Sequence, residues 1–193
     1  SSGVNIGRSL VQQQLLDTID FETFMAGLED EVSGQAQLSE EEMIAAIQTF
    51  QQRMMAEQTA QLEEARQAGE NFMAENATND EVVVLDSGLQ YQVLESGEAN
   101  APSPGASDSV LAHYHGTFID GSVFDRSVDR GEPAQFGKNQ VIAGWTEALQ
   151  LMKVGDKWRL FIPYNLAYGE AGSPPVIPPF STLIFDVELL EVR

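Results

Sequence analysis

The chain has 193 residues, 42% of them hydrophobic, enough to build one large domain or two small ones with cores of their own. Thirty acidic residues against ten basic ones give a net charge of −20, which repels nucleic acid and anionic membrane surfaces. The absence of cysteine excludes disulfides, thiol catalysis and Cys-ligated zinc, and no apolar run approaches the ~20 residues of a membrane-spanning helix.

Ser1-Ser2-Gly3 has neither a basic n-region nor an apolar h-region, so no signal peptide is expected in this sequence. A first helical segment over about residues 4–14 carries Ile6 and Leu10. Asp20 can cap a second one over about 21–32, with Phe21, Phe24, Met25 and Leu28 on its apolar face and Ser33-Gly34 as its stop. Ser39-Glu40-Glu41-Glu42 is a capping box, in which the Ser hydroxyl takes an N3 amide and Glu42 reaches back. No proline follows until well past Asn76, which predicts a helix of roughly 36 residues and about 54 Å. Its first half carries a stripe of Met43, Ile44, Ile47, Phe50, Met54 and Met55. From Gln58 to Gly69 it offers mainly Leu62 and Ala65, so the second half reads as a solvated stalk. Helices with so little mass make a thin core for one chain, and sharing the apolar stripe with a second copy resolves this. The expected organisation is a helical dimerisation module (1–38), a stalk and linker (39–80) and a second domain (81–193).

The composition changes near residues 77–80, where Gln, Glu, Ala and Met give way to β-branched runs, Gly and Pro. Strands are expected over 82–85, 89–94, 109–118, 157–162 and 182–192, with one short helix over 145–152. Leu183, Phe185, Val187 and Leu189 alternate as one buried face of an antiparallel sheet should. Residues 99–107, with Pro102, Pro104 and Gly105, read as a surface loop. The fold class is therefore α+β.

Chemistry concentrates in a few blocks of the second domain. Val141-Ile142-Ala143-Gly144-Trp145 sets branched aliphatics and an indole at a helix start. Leu166-Ala167-Tyr168-Gly169 and Val176-Ile177-Pro178-Pro179 add a phenol and an apolar Pro-rich loop. His113-Tyr114-His115-Gly116 and Val123-Phe124-Asp125 complete an aromatic-lined pocket with polar tips at Tyr114, Asp125 and Tyr168. Such a pocket changes the solvation of an apolar group and offers little for covalent chemistry. His113 and His115 share one face of a strand, but a metal site needs a third ligand that the sequence does not nominate. No metal or cofactor is expected, and neither a Ser-His-Asp arrangement nor a phosphate-cradling Gly loop is present.

These blocks, with Gly88-Leu89-Gln90-Tyr91, Asp120-Gly121-Ser122, Arg130-Gly131-Glu132-Pro133 and the run from Ser181 to Leu190, resemble FKBP-type peptidyl-prolyl cis/trans isomerases over residues 82–193. The resemblance implies an antiparallel sheet wrapped over one short helix. It also implies rotation about Xaa-Pro bonds, with Trp145 as pocket floor and Tyr114, Phe124, Phe136, Val141, Ile142, Ile177 and Phe185 as walls. The Ile142 amide and the Tyr168 hydroxyl would donate to substrate carbonyls, and Asp125 would accept at the rim from Tyr114 or a ligand. Tyr114, Phe124, Asp125 and Tyr168 are the expected catalytic group. Helical module, stalk and terminal FKBP-like domain together resemble the bacterial two-domain type related to macrophage infectivity potentiators. In that type the N-terminal helices of two chains intertwine and the catalytic domains sit at the far ends. The implied partners are a second copy of the chain, unfolded or partly folded proline-containing proteins and rapamycin-type macrolides; nucleic acid and a transmembrane segment are not expected. Periplasm or cell envelope is the expected location, with cytoplasm as the alternative. A non-catalytic holding chaperone is the competing function. Ala143, His115 and Ser173 depart from the residues frequent in the family, where proline, threonine and histidine respectively are common.

Overall fold

The computed structural model describes residues 33–34, 40–105, 108–127, 132–137 and 141–193. The helices expected over 4–14 and 21–32, and the Ser39 cap, lie outside the described residues. Two compact units divide the chain, Ser1–Ala56 and Glu57–Arg193.

A run of strong helix formers without proline gives α1 (Glu40–Asn76), which ends where the sequence predicts. Within the first unit its apolar stripe is open, with Ile44, Ile47 and Met55 exposed to 50%, 57% and 69%. Within the second unit the helix begins polar, laced by ion pairs from Arg66 to Glu63 and Glu70 at the i,i+3 and i,i+4 spacings that face each other. The solvated stretch stops at Gly69, which corrects the expectation of a stalk solvated to its end. A Cβ on Gly69 would stand 2.5 Å from Thr182 Oγ1, so glycine lets the helix lie directly on the sheet. Phe72 meets Phe161 with ring centroids 6.1 Å apart, and Met73 is buried. Buried Gln90 donates Nε2 to Met73 O at 2.8 Å and accepts from Asn76 Nδ2 at 2.9 Å. Glycine, phenylalanine and methionine at spacings of three and four make a short apolar face inside a polar helix.

β1 (Val82–Val84) and β2 (Gln90–Glu95) form a hairpin through Gly88. β3 (Val110–Phe118), β4 (Val123–Arg126), β5 (Ala134–Phe136), α2 (Ala143–Leu151), β6 (Lys157–Ile162) and β7 (Leu183–Val192) follow. The sheet is antiparallel in the order β1-β2-β6-β7-β3-β4, and β5 pairs with the other end of β3. β6 keeps its predicted bounds and β2, β3 and β7 differ by a residue. β4 and β5 are additional to the expected strands; at four and three residues they are too short to show alternation.

Strict alternation along β7 buries Leu183, Phe185, Val187 and Leu189 on the inner face. Against that face α2 lays Trp145, Ala148 and Leu149, with Met152 just beyond its end, and this layer is the core.

Candidate active site

The inner face supplies the rings. Tyr114 and Gly116 point inward from β3, and Gly116 stands in register with Phe185 on β7. A Cβ on Gly116 would lie 2.8 Å from the rings of both Phe124 and Phe185. Only glycine allows those rings to close edge-to-face at 5.4 Å and 89°. Trp145, in the first turn of α2, is 3% exposed and meets Tyr114, Phe136 and Phe185 edge-on at 5.5, 5.0 and 5.3 Å.

These rings enclose a cavity of about 330 Å³. Nine of the ten site residues expected from the sequence line it: Tyr114, Phe124, Asp125, Phe136, Val141, Ile142, Trp145, Tyr168 and Phe185. Ile177, the tenth, is 5% exposed and packs into the core rather than lining the cavity.

Three polar groups border this apolar space. Tyr114 Oη donates to Asp125 Oδ2 at 2.6 Å, which fixes the phenol against β4. Tyr168 follows the 3₁₀ turn Tyr164–Leu166, is 41% exposed and makes no hydrogen bond through its hydroxyl with the described residues. Ile142 is the N-cap of α2 in extended conformation, so its own N–H lies outside the helical ladder while its carbonyl accepts from Trp145 N and Thr146 N at 3.0 and 3.2 Å.

One supporting residue gave no signal in the sequence. Ser127, fully buried, accepts from Tyr114 N at 2.9 Å, lies 3.0 Å from His113 Nδ1 and returns its own N–H to Tyr114 O at 3.0 Å. It thereby pins the backbone of the residue whose hydroxyl holds Asp125. A lone serine after β4 has no motif that could have marked it.

The Pro-rich loop is tied at its base, where Ser173 and Ile177 exchange backbone bonds of 2.8 and 3.0 Å and leave Val176 55% exposed. His113 faces Ser127, and His115 stands between Asp186 and Arg126 on the neighbouring strands. Among the described residues no cluster of three or more His, Asp and Glu side chains is placed to hold a metal ion. A cavity lined by aromatic and aliphatic side chains with hydrogen-bond donors at its rim suits conformational chemistry on an amide.

Comparisons with known proteins agree with this geometry. Residues 101–190 match the family described as FKBP-type peptidyl-prolyl cis-trans isomerase, and residues 1–93 match the domain amino terminal to it. The chain is 42% identical over 191 residues to the FKBP-type 22 kDa peptidyl-prolyl cis-trans isomerase of Escherichia coli strain K12, covering 98% of this chain and 91% of that protein. It is 40% identical to the outer membrane protein MIP of Legionella longbeachae, covering 100% of this chain and 83% of that one. Among solved structures it is similar to FkpA from Escherichia coli, with a TM-score of 0.77 and 40% identity over 99% of this chain and 91% of that chain.

Proposed function

Because the chain belongs to the bacterial two-domain FKBP-type peptidyl-prolyl cis-trans isomerases, we propose that the aromatic cavity between β3, β7 and α2 is where it rotates Xaa-Pro bonds. The observation that carries the assignment is the convergence of nine aromatic, aliphatic and rim-polar residues on one 330 Å³ cavity.

The barrier to rotation is ~18–20 kcal/mol because amide resonance must be broken. The twisted amide is less dipolar than the planar one, so a site that withholds water favours it over the ground state. Trp145 forms the floor under the proline ring, with Phe124, Phe136, Val141 and Phe185 as its walls. Tyr168 Oη and the Ile142 N–H donate to the substrate carbonyls on either side of the bond and hold one end while the other turns. Asp125, anchored by Tyr114, closes the rim. No bond forms to the protein and no proton moves; each ~1.4 kcal/mol of preference for the twisted state gives about tenfold in rate.

The remaining assignments rest on the same family membership. The exposed stripe of Ile44, Ile47 and Met55 supports a homodimer through the N-terminal region, since apolar surface of that kind marks an interface. Two linked pockets would hold a proline-containing unfolded chain at two points, giving chaperone activity by raised effective concentration. Rapamycin-type macrolides would occupy the same cavity. One relative is named an outer membrane protein, and no helix among the described residues is long and apolar enough to cross a membrane; the location proposed is the periplasm or cell envelope.

The test is NMR exchange on a short Xaa-Pro peptide. Catalysed exchange should be abolished by a rapamycin-type macrolide, and Phe124→Ala and Tyr168→Phe should each lower it about tenfold, the loss of roughly 1.4 kcal/mol of transition-state preference. Wild-type exchange from both variants would remove the cavity from the mechanism while leaving the enzyme family intact.

A further inference from the structure

The second unit holds another cavity, on the opposite side of the sheet. It arises because α1 ends too soon. Phe72 covers Phe161 on the outer face, the helix stops at Asn76, and the rows beyond are left open. The open space is about 560 Å³, a size that accommodates two or three side chains of a polypeptide.

Two cross-strand rows form its floor. Thr117, Ile184 and Phe161 are in register across β3, β7 and β6 and give an apolar row. His115, Asp186, Arg159 and Gln92 are in register across β3, β7, β6 and β2 and give a polar one. Arg159 adds no free positive charge to this floor, because Asp186 takes its guanidinium in two bonds of 2.6 and 2.8 Å. The carboxamides of Asn79 and Gln92 border the space. Asn79 Oδ1 accepts from Glu81 N at 3.0 Å and Gln92 Nε2 donates to Glu81, so Asn79 Nδ2 supplies the donor and Gln92 Oε1 the acceptor that an extended backbone requires.

Charge decides the class of ligand. At one end, Glu81 accepts from the Nε2 of the lining residue Gln92 at 2.7 Å, which holds a carboxylate next to the cavity. At the other, the turn that brings Ile119 and Gly121 to the cavity carries Asp120, whose Oδ1 accepts from Ser122 N and Ser122 Oγ at 2.8 and 2.6 Å. Those two bonds hold the Asp120 carboxyl below its usual range, so it is ionised at neutral pH. A floor of one apolar and one polar row thus lies between two neighbouring carboxylates, and the cation that lines it among the described residues, Arg159, is already paired.

We propose that this groove behind the sheet is a second polypeptide-binding site. Its ligand is an extended, proline-independent segment in which a large aliphatic or aromatic residue is flanked by lysine or arginine. The apolar residue sits on Ile184 and Ile119 beside the covered Phe161, the backbone bonds to Asn79 and Gln92, and the cations face Glu81 and Asp120. The site is separated from the aromatic cavity by the thickness of the sheet and does not depend on isomerase chemistry.

The test uses the full chain and a fluorescein-labelled, proline-free peptide of alternating Lys and Phe. Anisotropy should report binding that weakens at least threefold between 50 and 200 mM salt and persists when a macrolide saturates the aromatic cavity. Ile119→Lys and Glu81→Lys should each weaken it about tenfold, with tetrapeptide isomerase activity unchanged. Amide shifts on titration should map to Thr117, Ile184 and Gln92. Displacement of the peptide by the macrolide, equal affinity for the Glu-for-Lys peptide, or wild-type affinity in both variants would each overturn the proposal.

Discussion

Gly116 is the residue on which the rings depend. Its missing Cβ is the space in which Phe124 and Phe185 approach β3. Gly116→Ala should cost about 1–3 kcal/mol of stability through overpacking, visible in thermal unfolding, and lower kcat/KM at least tenfold because both rings must retreat. Tyr114→Phe removes the 2.6 Å bond to Asp125 and leaves a part-buried carboxylate without that donor. A loss of about 1–2 kcal/mol is expected, together with a several-fold fall in exchange rate that substrate saturation does not restore. Ser127→Ala separates support from catalysis: it strips the side-chain acceptor from Tyr114 N. Stability should fall by about 1–2 kcal/mol while the macrolide still binds. Most of these residues were legible because aromatic blocks at compatible spacings point to one site. Ser127 was not, since a hydrogen bond closed by tertiary folding leaves no periodic trace, and Ile177 stood in an apolar block whether it lined the cavity or packed beneath it.

At the level of elements, the end of α1 belongs mechanically to the sheet. Gly69, Phe72, Met73 and Asn76 all contact or bond to β-sheet residues or to Thr182 beside β7. A fragment covering 57–193 should therefore unfold at a higher temperature than one covering 77–193. Met73→Ala in the full chain should cost about 2 kcal/mol as a core truncation. Equal melting temperatures for the two fragments would show that the contact adds nothing. The sequence foretold the length of this helix and missed its docking, because one glycine and two apolar residues in two turns are too few to lift a polar average. It likewise foretold the long strands by their alternation. The three- and four-residue strands escaped, being held in place by pairing with β3 rather than by a pattern of their own.

For the whole molecule the dominant quantity is the net charge of −20. Self-repulsion on that scale opposes the compact state and is screened within about 10 Å at 0.1 M ionic strength. Raising sodium chloride from 20 to 300 mM should raise the melting temperature by a few degrees, while capture of basic client proteins weakens over the same range. Analytical ultracentrifugation of the full chain and of 57–193 checks the proposed dimer, with the full chain expected at twice its 21.1 kDa mass and the fragment as a monomer. The sequence already apportions this acidity along the chain, −12 over residues 1–80 (3 basic, 15 acidic) and −8 over residues 81–193 (7 basic, 15 acidic).

β7 also sets how the protein can change over generations. Phe185 faces the aromatic cavity and its neighbours Ile184 and Asp186 face away from it. Consecutive positions of one strand therefore answer to different selective demands. The inward positions Leu183, Val187 and Leu189 are held by core packing and Phe185 by the proposed active site as well, so a saturation scan along β7 should show tolerance rising and falling with a period of two.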